Sequence, residues 1–360
     1  MKTLMKGNNA LAESAIIAGC RFFAGYPITP QTEILEHLSR RLPEAGGHFI
    51  QTESELAGIN MVIGAAACGF RAMTSSSGPG FSLKQEGISY LCSMELPAVI
   101  VDVMRYGIGL GNITLGQADY FQAVKGGGHG GYKVPVYAPS SVQENVDYTI
   151  MAFEKAEQYR TPVIILSDGA IGQMAESVEL PEGRKHDPDK FEWTLKGKDD
   201  SYPNGRKMTD RIYYDFKFNE YDDHIRSRYD QMERAEQLWE EVWIDDAEII
   251  LVAYGITSRV CKEAVTFARK KGIRLGLIRP ISLWPFPKKA FDKTHSQAKA
   301  YLSVEMNACG QMVEDVILAA RGIPVYSYPS GRVIADSENI LKIVEGICQG
   351  TEKEVYESWQ

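Results

Sequence analysis

The chain has 360 residues, 44% of them apolar and 24% charged, with a formal net charge of −8. That length suggests about two domains, and the composition is ordinary for a folded protein, which excludes global disorder and a coiled coil. An acidic chain without a basic block is a poor partner for nucleic acid or an anionic membrane surface.

The predicted elements run in chain order as follows. Asn8 or Asn9 caps a helix over ALAESAIIAG, and Gly19 closes it. RFFAGY is a short strand. In YPITPQTEILEHL, Thr29 is the expected N-cap and Pro30 the first helical residue. FIQTES is a second strand, followed by a helix over ELAGINMVIGAAACG. RAMTSSS is a third strand, and SGPG turns it into a helix over SLKQEGISYLCSM. PAVIVDV is a fourth strand, apolar almost throughout and so expected to be buried on both faces. A glycine-rich stretch from Gly107 to Gly131 follows, then the strand KVPVYA. Ser140 or Ser141 caps a long helix to Gln158, and PVIILSD ends the unit.

Strands alternating with helices at this spacing imply βαβ units and a parallel sheet covered on both faces. Ligands of such sheets sit outside the carboxyl ends of the strands. The loops to watch are therefore Tyr26–Pro30, Thr52–Glu55, Ser75–Gly80, Arg105–Gly131 and Asp168–Gln173. Residues 181–245 break the pattern and read as a connection or an excursion over a partner surface. Within them, 226–243 read as a polar amphipathic helix. Alternation resumes at 246 with AEIILVAYG, RLGLIRP, KAYLSVEMN and IPVYSY as strands and SENILKIVEGICQ as the last helix. The expected organisation is 1–180, a connection at 181–245, and a smaller α/β domain at 246–360.

Six cysteines are scattered and form no CxxC, so this chain alone is not expected to hold a zinc ion or an iron–sulfur cluster. They read as small hydrophobes of a reducing compartment. Glu13 interrupts the only apolar stretch near the start, so no signal-peptide core is expected. The longest apolar runs, 98–104 and 247–256, fall short of a membrane span. Cytoplasmic location is the default.

At YPITP, ESELAG, SSSGPG and VMRYG the chain resembles the α-type subunit of thiamine-diphosphate-dependent 2-oxoacid:ferredoxin oxidoreductases. The likeness continues through KQEGISYL and ELPAVIVDVMR to RPISLWPFP and VEMN..GQM, so it covers nearly the whole chain. It is nearest to the branched-chain 2-oxoacid type, through the GLGN and GGGHG stretches, with the 2-oxoglutarate type close behind. The resemblance implies a pyrimidine-binding thiamine diphosphate domain followed by a domain similar to the transketolase C-terminal domain. It further implies a β subunit carrying the diphosphate and Mg2+ site and a [4Fe–4S] cluster, with γ and ferredoxin-like δ subunits as further partners. Ferredoxin, a 2-oxoacid and coenzyme A complete the reaction, and a dimer of heteromers is the expected assembly. The chain agrees by what it lacks: SDG at 167–169 is its nearest string to the GDG…NN diphosphate signature, and no NN follows at the right distance.

Thiamine chemistry asks the protein for one carboxyl at N1′ of the pyrimidine, which promotes the tautomer that activates the cofactor. Glu55 is that residue by resemblance, in the SE.AG context of Ser54–Glu55–Leu56–Ala57–Gly58. Read without it, an acid in a first helical turn is simply favoured by the dipole. Glu53 reads as solvated. A 2-oxo carboxylate also needs a cation. Arg105 ends the buried strand where the sheet opens and can fork two N–H bonds to a carboxylate, or else pair with a surface acid. Thr29 matches the family's substrate-binding threonine. Ser75, Ser76, Ser77 and the Gly78–Pro79–Gly80 turn either line the pyrimidine pocket or are plain turn chemistry. His129, in the run Gly126–Gly131, is a candidate for a substrate or proton role on a loop that closes over the site. Glu305, Asn307, Gly310 and Gln311 read as interface or helix-start residues. Two rivals stand beside this reading: a nicotinamide-dependent dehydrogenase, which needs a strand–GxGxxG–helix unit absent here, and a non-catalytic assembly subunit.

Overall fold

The computed structural model describes residues 2–198, 200, 202–205, 208 and 218–355. Most of 199–217, in the stretch read as a connection, lies outside the described residues, as do 356–360. Strand β1 (Lys2–Lys6) pairs antiparallel with β8 (Ala175–Glu179) and ties the two ends of the first unit together. That unit is built from α1 (Gly7–Ile17), β2 (Phe22–Gly25), α2 (Thr32–Glu44), β3 (His48–Gln51), α3 (Glu55–Ala67), β4 (Ala72–Ser76), α4 (Pro79–Ser93), β5 (Ala98–Met104), α5 (Tyr120–Val124), β6 (Val136–Tyr137), α6 (Val142–Tyr159), β7 (Pro162–Asp168) and α7 (Gly169–Gln173). The second contains α8 (Phe218–Ala235), β9 (Trp239–Val242), β10 (Ile249–Val252), α9 (Gly255–Lys270), β11 (Leu275–Pro280), β12 (Ser282–Trp284), α10 (Lys288–Asp292), β13 (Ala300–Glu305), α11 (Val313–Ala320), β14 (Val325–Pro329) and α12 (Ser337–Gln349).

The larger sheet has the order β12-β6-β7-β5-β4-β2-β3, parallel except for β12. Strand β5 is wholly buried, as its apolar run implied, and its residues alternate between two cores. Val99, Val101 and Val103 meet α1, α2 and α6, while Ile100 and Met104 meet α3, α4 and the second unit. The smaller sheet runs β14-β13-β10-β11-β9, with β9 alone antiparallel. Ile250, Val252, Tyr254 and Ile278 share one core with Phe81, Ile88 and Leu91 of α4, so apolar packing is continuous between the units.

Three local expectations are corrected. The helix expected over 226–243 spans Phe218–Ala235 instead, and Trp239–Val242 form β9 against β11. The cause is charge. Glu240 stands opposite Arg279, which is only 2% exposed and already holds Glu144, and the extended backbone brings Glu240 Oε2 to 3.0 Å from Arg279 Nε. Thr29 is no N-cap: a turn from Ile28 to Gln31 precedes α2, with Gln31 at the cap position. Asn8 lies inside α1, which starts at Gly7, and its amide donates to Pro30 O at 2.8 Å and Glu33 Oε2 at 3.0 Å. Ser141, not Ser140, caps α6, accepting from Glu144 N.

Two polar devices lock the units. Asp168, buried at the end of β7, accepts from Ile171 N at 3.0 Å and from Ile256 N at 2.8 Å, joining the first turns of α7 and α9. Gln117 donates through its amide to Tyr254 O and accepts from Thr257 and Met306. Both press on Gly255, which has φ +57° and where a Cβ would lie 2.5 Å from Asp168 Oδ2 and 2.8 Å from Gln117 Nε2. Gly255→Ala therefore combines a left-handed backbone cost of about 1–2 kcal/mol with the break-up of buried hydrogen bonds, worth about 1–3 kcal/mol. Gly350→Ala, at φ +69° with nothing within 4 Å, carries the backbone term alone. Denaturant midpoints should place Gly255→Ala well below Gly350→Ala; equal midpoints would show that the joint tolerates the methyl.

Candidate functional site

The carboxyl ends of β2, β4 and β5 and the first turns of α3 and α4 converge on one spot. Ser54 caps α3 through its Oγ, which accepts from Ala57 N, so Glu55 begins the helix with its side chain turned inward and 6% exposed. Gly78, at φ +49°, turns the end of β4 into α4, with Pro79 as first helical residue. Gly80 lies directly against the Glu55 carboxyl and the Ser76 hydroxyl, where any Cβ would collide with both. The hydroxyls of Ser76 and Ser77 are fully buried and have no hydrogen-bond partner. Ser75 is occupied, donating to Gln31 Oε1 at 2.6 Å. Glu55, Ser76, Ser77 and Gly78 thus share one corner, and unsatisfied buried hydroxyls are rare enough to call for a ligand.

Arg105 follows β5 directly and is 6% exposed. It joins two loops: Nη1 donates to Thr29 O at 3.1 Å and Nη2 donates to Leu110 O, while Nε is buried without a partner. No carboxylate among the described residues forms an ion pair with it, so the surface-acid reading fails. Thr29 meets Arg105 through its carbonyl, and the Thr29–Pro30 peptide is cis. The loop that carries Thr29 is braced from behind. Asn8 and Gln173 both donate to Pro30 O, and Gln31 Nε2 donates to Tyr26 O. Beside Arg105 a cavity of about 220 Å3 is lined by Gly78, Pro79, Ile108, Gly109, Asp119 and Gln122 among others.

Behind Arg105 and Gly78 lies a carboxyl pair that sequence reasoning missed. Asp102 is wholly buried in β5, and Asp119 is 4% exposed. Burial, and the charge of Asp119, push the Asp102 carboxyl well above the usual range; burial pushes Asp119 up to about 6. The Gly78 N–H and the Arg105 charge lie close enough to offset part of the shift. With both groups ionised, neither Asp102 oxygen nor Asp119 Oδ2 has a partner; one proton shared between them supplies the missing donor. Asp102 was hidden in the apolar run AVIVDVM, and the one signal was a lone carboxylate in a strand buried on both faces.

His129 is not brought to this corner. It is exposed, and its carbonyl accepts from Ser89 Oγ at 2.6 Å. Eleven residues of α4 separate Ser89 from Gly78, about 16 Å of helix. The glycine-rich stretch also contains α5, whose Tyr120 hydroxyl donates to Asp315 across the unit boundary. Glu53 is exposed. Glu305 gathers Asn307 Nδ2 and the backbone N–H groups of Gln311, Met312 and Val313, a helix-start role as expected.

The pocket fits the pyrimidine side of thiamine diphosphate: a buried carboxyl, two unpaired hydroxyls and a free guanidinium N–H at strand ends. No cluster of three His, Cys, Asp or Glu is present among the described residues.

Comparison with known proteins identifies the family. Residues 13–242 match the family of pyruvate flavodoxin/ferredoxin oxidoreductases in its thiamine diphosphate-binding domain, and residues 247–335 match the pyruvate:ferredoxin oxidoreductase core domain II. The chain is 49% identical to the ketoisovalerate oxidoreductase subunit VorB of Methanothermobacter marburgensis, over 95% of this chain and 97% of that protein. It is 40% identical to the 2-oxoglutarate synthase subunit KorA of Methanocaldococcus jannaschii, over 87% and 90%. Among solved structures it is similar to the 2-oxoglutarate:ferredoxin oxidoreductase of Magnetococcus marinus, with a TM-score of 0.81 and 26% identity. It covers 65% of that chain, which covers 96% of this one. A split-gene transketolase shares the fold, with a TM-score of 0.59 and 13% identity.

The Asp102–Asp119 pair gives stability a pH signature. Both carboxyls have raised folded values, so the native state holds extra protons from about pH 4 upward. The stability they contribute is present at low pH and lost as the pH rises through 6. Asp102→Asn keeps the shape and cannot ionise. It should exceed the native protein in stability at pH 8, with the gap narrowing as the pH falls toward 4. Denaturant melts at the two pH values measure this; a gap independent of pH would mean that no proton is shared.

Proposed function

The chain belongs to the pyruvate flavodoxin/ferredoxin oxidoreductase family, and we propose that it is the subunit holding the pyrimidine side of thiamine diphosphate in a branched-chain 2-oxoacid:ferredoxin oxidoreductase. The reaction is 2-oxoacid, coenzyme A and oxidised ferredoxin to acyl-CoA, CO2 and reduced ferredoxin. One observation carries the reading: Glu55 is buried at the first residue of α3, against the unpartnered hydroxyl of Ser76, at the carboxyl end of the sheet.

Thiamine diphosphate, when bound, supplies the nucleophilic carbon and the electron sink for loss of CO2 from a 2-oxoacid. Glu55 holds a proton at the edge of the pyrimidine and exchanges it with N1′. Ser76 and Ser77 donate to, or accept from, the polar rim of the ring, and Gly78 and Gly80 give it room. Arg105 takes the substrate carboxylate, using the N–H left free between its two loop contacts, with Thr29 beside it. Among the described residues Arg105 is the one cation lining the adjacent cavity, and Ile108 brings hydrocarbon to its wall. One cation and an aliphatic wall favour a monocarboxylate with an apolar side chain over 2-oxoglutarate. His129, far along α4, keeps at most a role at the rim of the assembly.

The chain is half of a site. Helix α3 is apolar all round, yet Leu56 and Met61 are exposed on it, and Leu83 and Tyr90 on α4 extend the same kind of surface. Such surface flanking Glu55 is suited to a partner. We place there a β subunit that carries the Mg2+–diphosphate site and a [4Fe–4S] cluster, with γ and ferredoxin-like δ subunits beyond it. No described helix is long and apolar enough to cross a membrane, and we assign the complex to the cytoplasm.

In the assembled complex, Glu55→Gln should fold and lose about 10²–10⁴-fold in turnover, the range for a positioned acid–base group. Near-native turnover would overturn the assignment. Arg105→Lys keeps the charge and loses the free Nε–H and the two loop contacts. It should lower kcat/KM by roughly ten- to a hundred-fold, from about 1.5–3 kcal/mol of charged hydrogen bonding. Turnover of 2-oxoglutarate equal to that of 3-methyl-2-oxobutanoate would reject the branched-chain assignment.

A further inference from the structure

Lys84 lies wholly inside the protein, on the second turn of α4. Its ammonium donates to Thr74 Oγ1 at 2.9 Å and to the carbonyl of Glu55 at 3.3 Å. No carboxylate among the described residues forms an ion pair with it. Taking an unpaired ammonium out of water is costly, and a methionine of the same length would fill the space without that cost. The cost is visible in its titration: burial pushes the ammonium down to about 8, and the charge of Glu55 acts in the opposite direction. The groups facing Nζ are few. Helix α3 presents Glu55, the one charged group, and β4 presents Thr74, which is neutral. A lysine kept charged here acts on one carboxyl.

We propose that Lys84 is a positioning residue for Glu55: its ammonium pins the first turn of α3 through the Glu55 carbonyl and favours the carboxylate form of the Glu55 side chain once that side chain has passed its proton to N1′ of the pyrimidine. The proposal rests on the reading of Glu55 given above. The proton balance is simple. The O–H bond of Glu55 breaks, the electron pair stays on its carboxylate, and the proton forms an N–H bond at the ring. The ammonium gains and loses nothing in this step; its field makes the ionised carboxyl less costly. The sign with pH follows. Below about pH 8 Lys84 is charged and the transfer is favoured; as the pH rises through 8 the charge is lost and turnover falls.

The test uses the assembled, cofactor-loaded complex with Lys84→Met, Lys84→Gln, Thr74→Val and Glu55→Gln. Lys84→Met should lower kcat by about ten- to a hundred-fold with little change in KM, since it removes the charge that favours the ionised Glu55 carboxyl and the contact that pins the first turn of α3. Its kcat should also lack the fall above pH 8. Lys84→Gln keeps a hydrogen-bond donor without the charge and should behave like Lys84→Met. The near-ultraviolet circular dichroism of the bound aminopyrimidine gives a readout apart from turnover: its titration should move in both variants. Thr74→Val removes an acceptor from the ammonium and should bring the alkaline fall to lower pH, which keeps the proposal testable if every Lys84 variant fails to assemble. Native kcat, pH profile and dichroism in Lys84→Gln would overturn the proposal, as would an unmoved alkaline fall in Thr74→Val. If Glu55→Gln is itself fully active, the reading of Glu55 fails, and the proposal falls with it for a different and recognisable reason.

Discussion

Gln117 makes five hydrogen bonds across the boundary between the two sheets. Its backbone N–H donates to Met306 O and its carbonyl accepts from Asn307. Its side chain donates to Tyr254 O and accepts from Thr257 Oγ1 and Met306 N. A buried amide satisfied in this way has one geometry, and losing any partner strands another polar group. The segment from Arg105 to Gln117 is therefore a strap with both ends fixed, one by β5 and one by the second unit. Arg105 holds the strap's middle through Leu110 O and the Thr29 loop through its other Nη. The placing of Arg105 thus depends on a joint that the second unit makes at Gln117.

The loop that carries Thr29 has its own support, also polar. Asn8, Gln31 and Gln173 hold the loop around Pro30 by amide hydrogen bonds, and Ser75 closes against Gln31. Amides carry donors and acceptors without charge, so they fix a loop beside a carboxylate and a guanidinium without disturbing either. The carboxyl pair under Gly78 extends this logic. By sharing a proton, Asp102 and Asp119 present less negative charge to Arg105 than two carboxylates would, leaving it freer for an external anion.

The alternation of strands and helices was legible in the sequence because apolar periodicity sets it, and most elements lie within a few residues of their expected bounds. Glu55, Ser76, Ser77, Gly78, Thr29 and Arg105 were legible because ligands of parallel sheets gather at strand ends, and resemblance gave them roles. The structure brings these six into one corner. Residues whose meaning depends on a partner distant in the chain were not legible. Lys84 looks like a surface residue of a helix until Thr74 and Glu55 close over it. Asp102 looks like an interruption until Asp119 arrives through a loop. Helical polarity around 226–243 outweighed the pull of Arg279 on Glu240, which exists only once β11 is in place. Composition drew attention to His129 through its glycines, and the fold carries it to the other end of α4.

The larger sheet takes one edge strand from the second unit. Strand β12, from beyond β11, completes the larger sheet at β6, and β9, which precedes β10, completes the smaller one. A strand edge without its neighbour offers unpaired N–H and C=O groups to any other chain. Strand β6 gains its second neighbour from Ser282–Trp284, so a first unit cut off from the second would keep an open edge that its own strands do not cover.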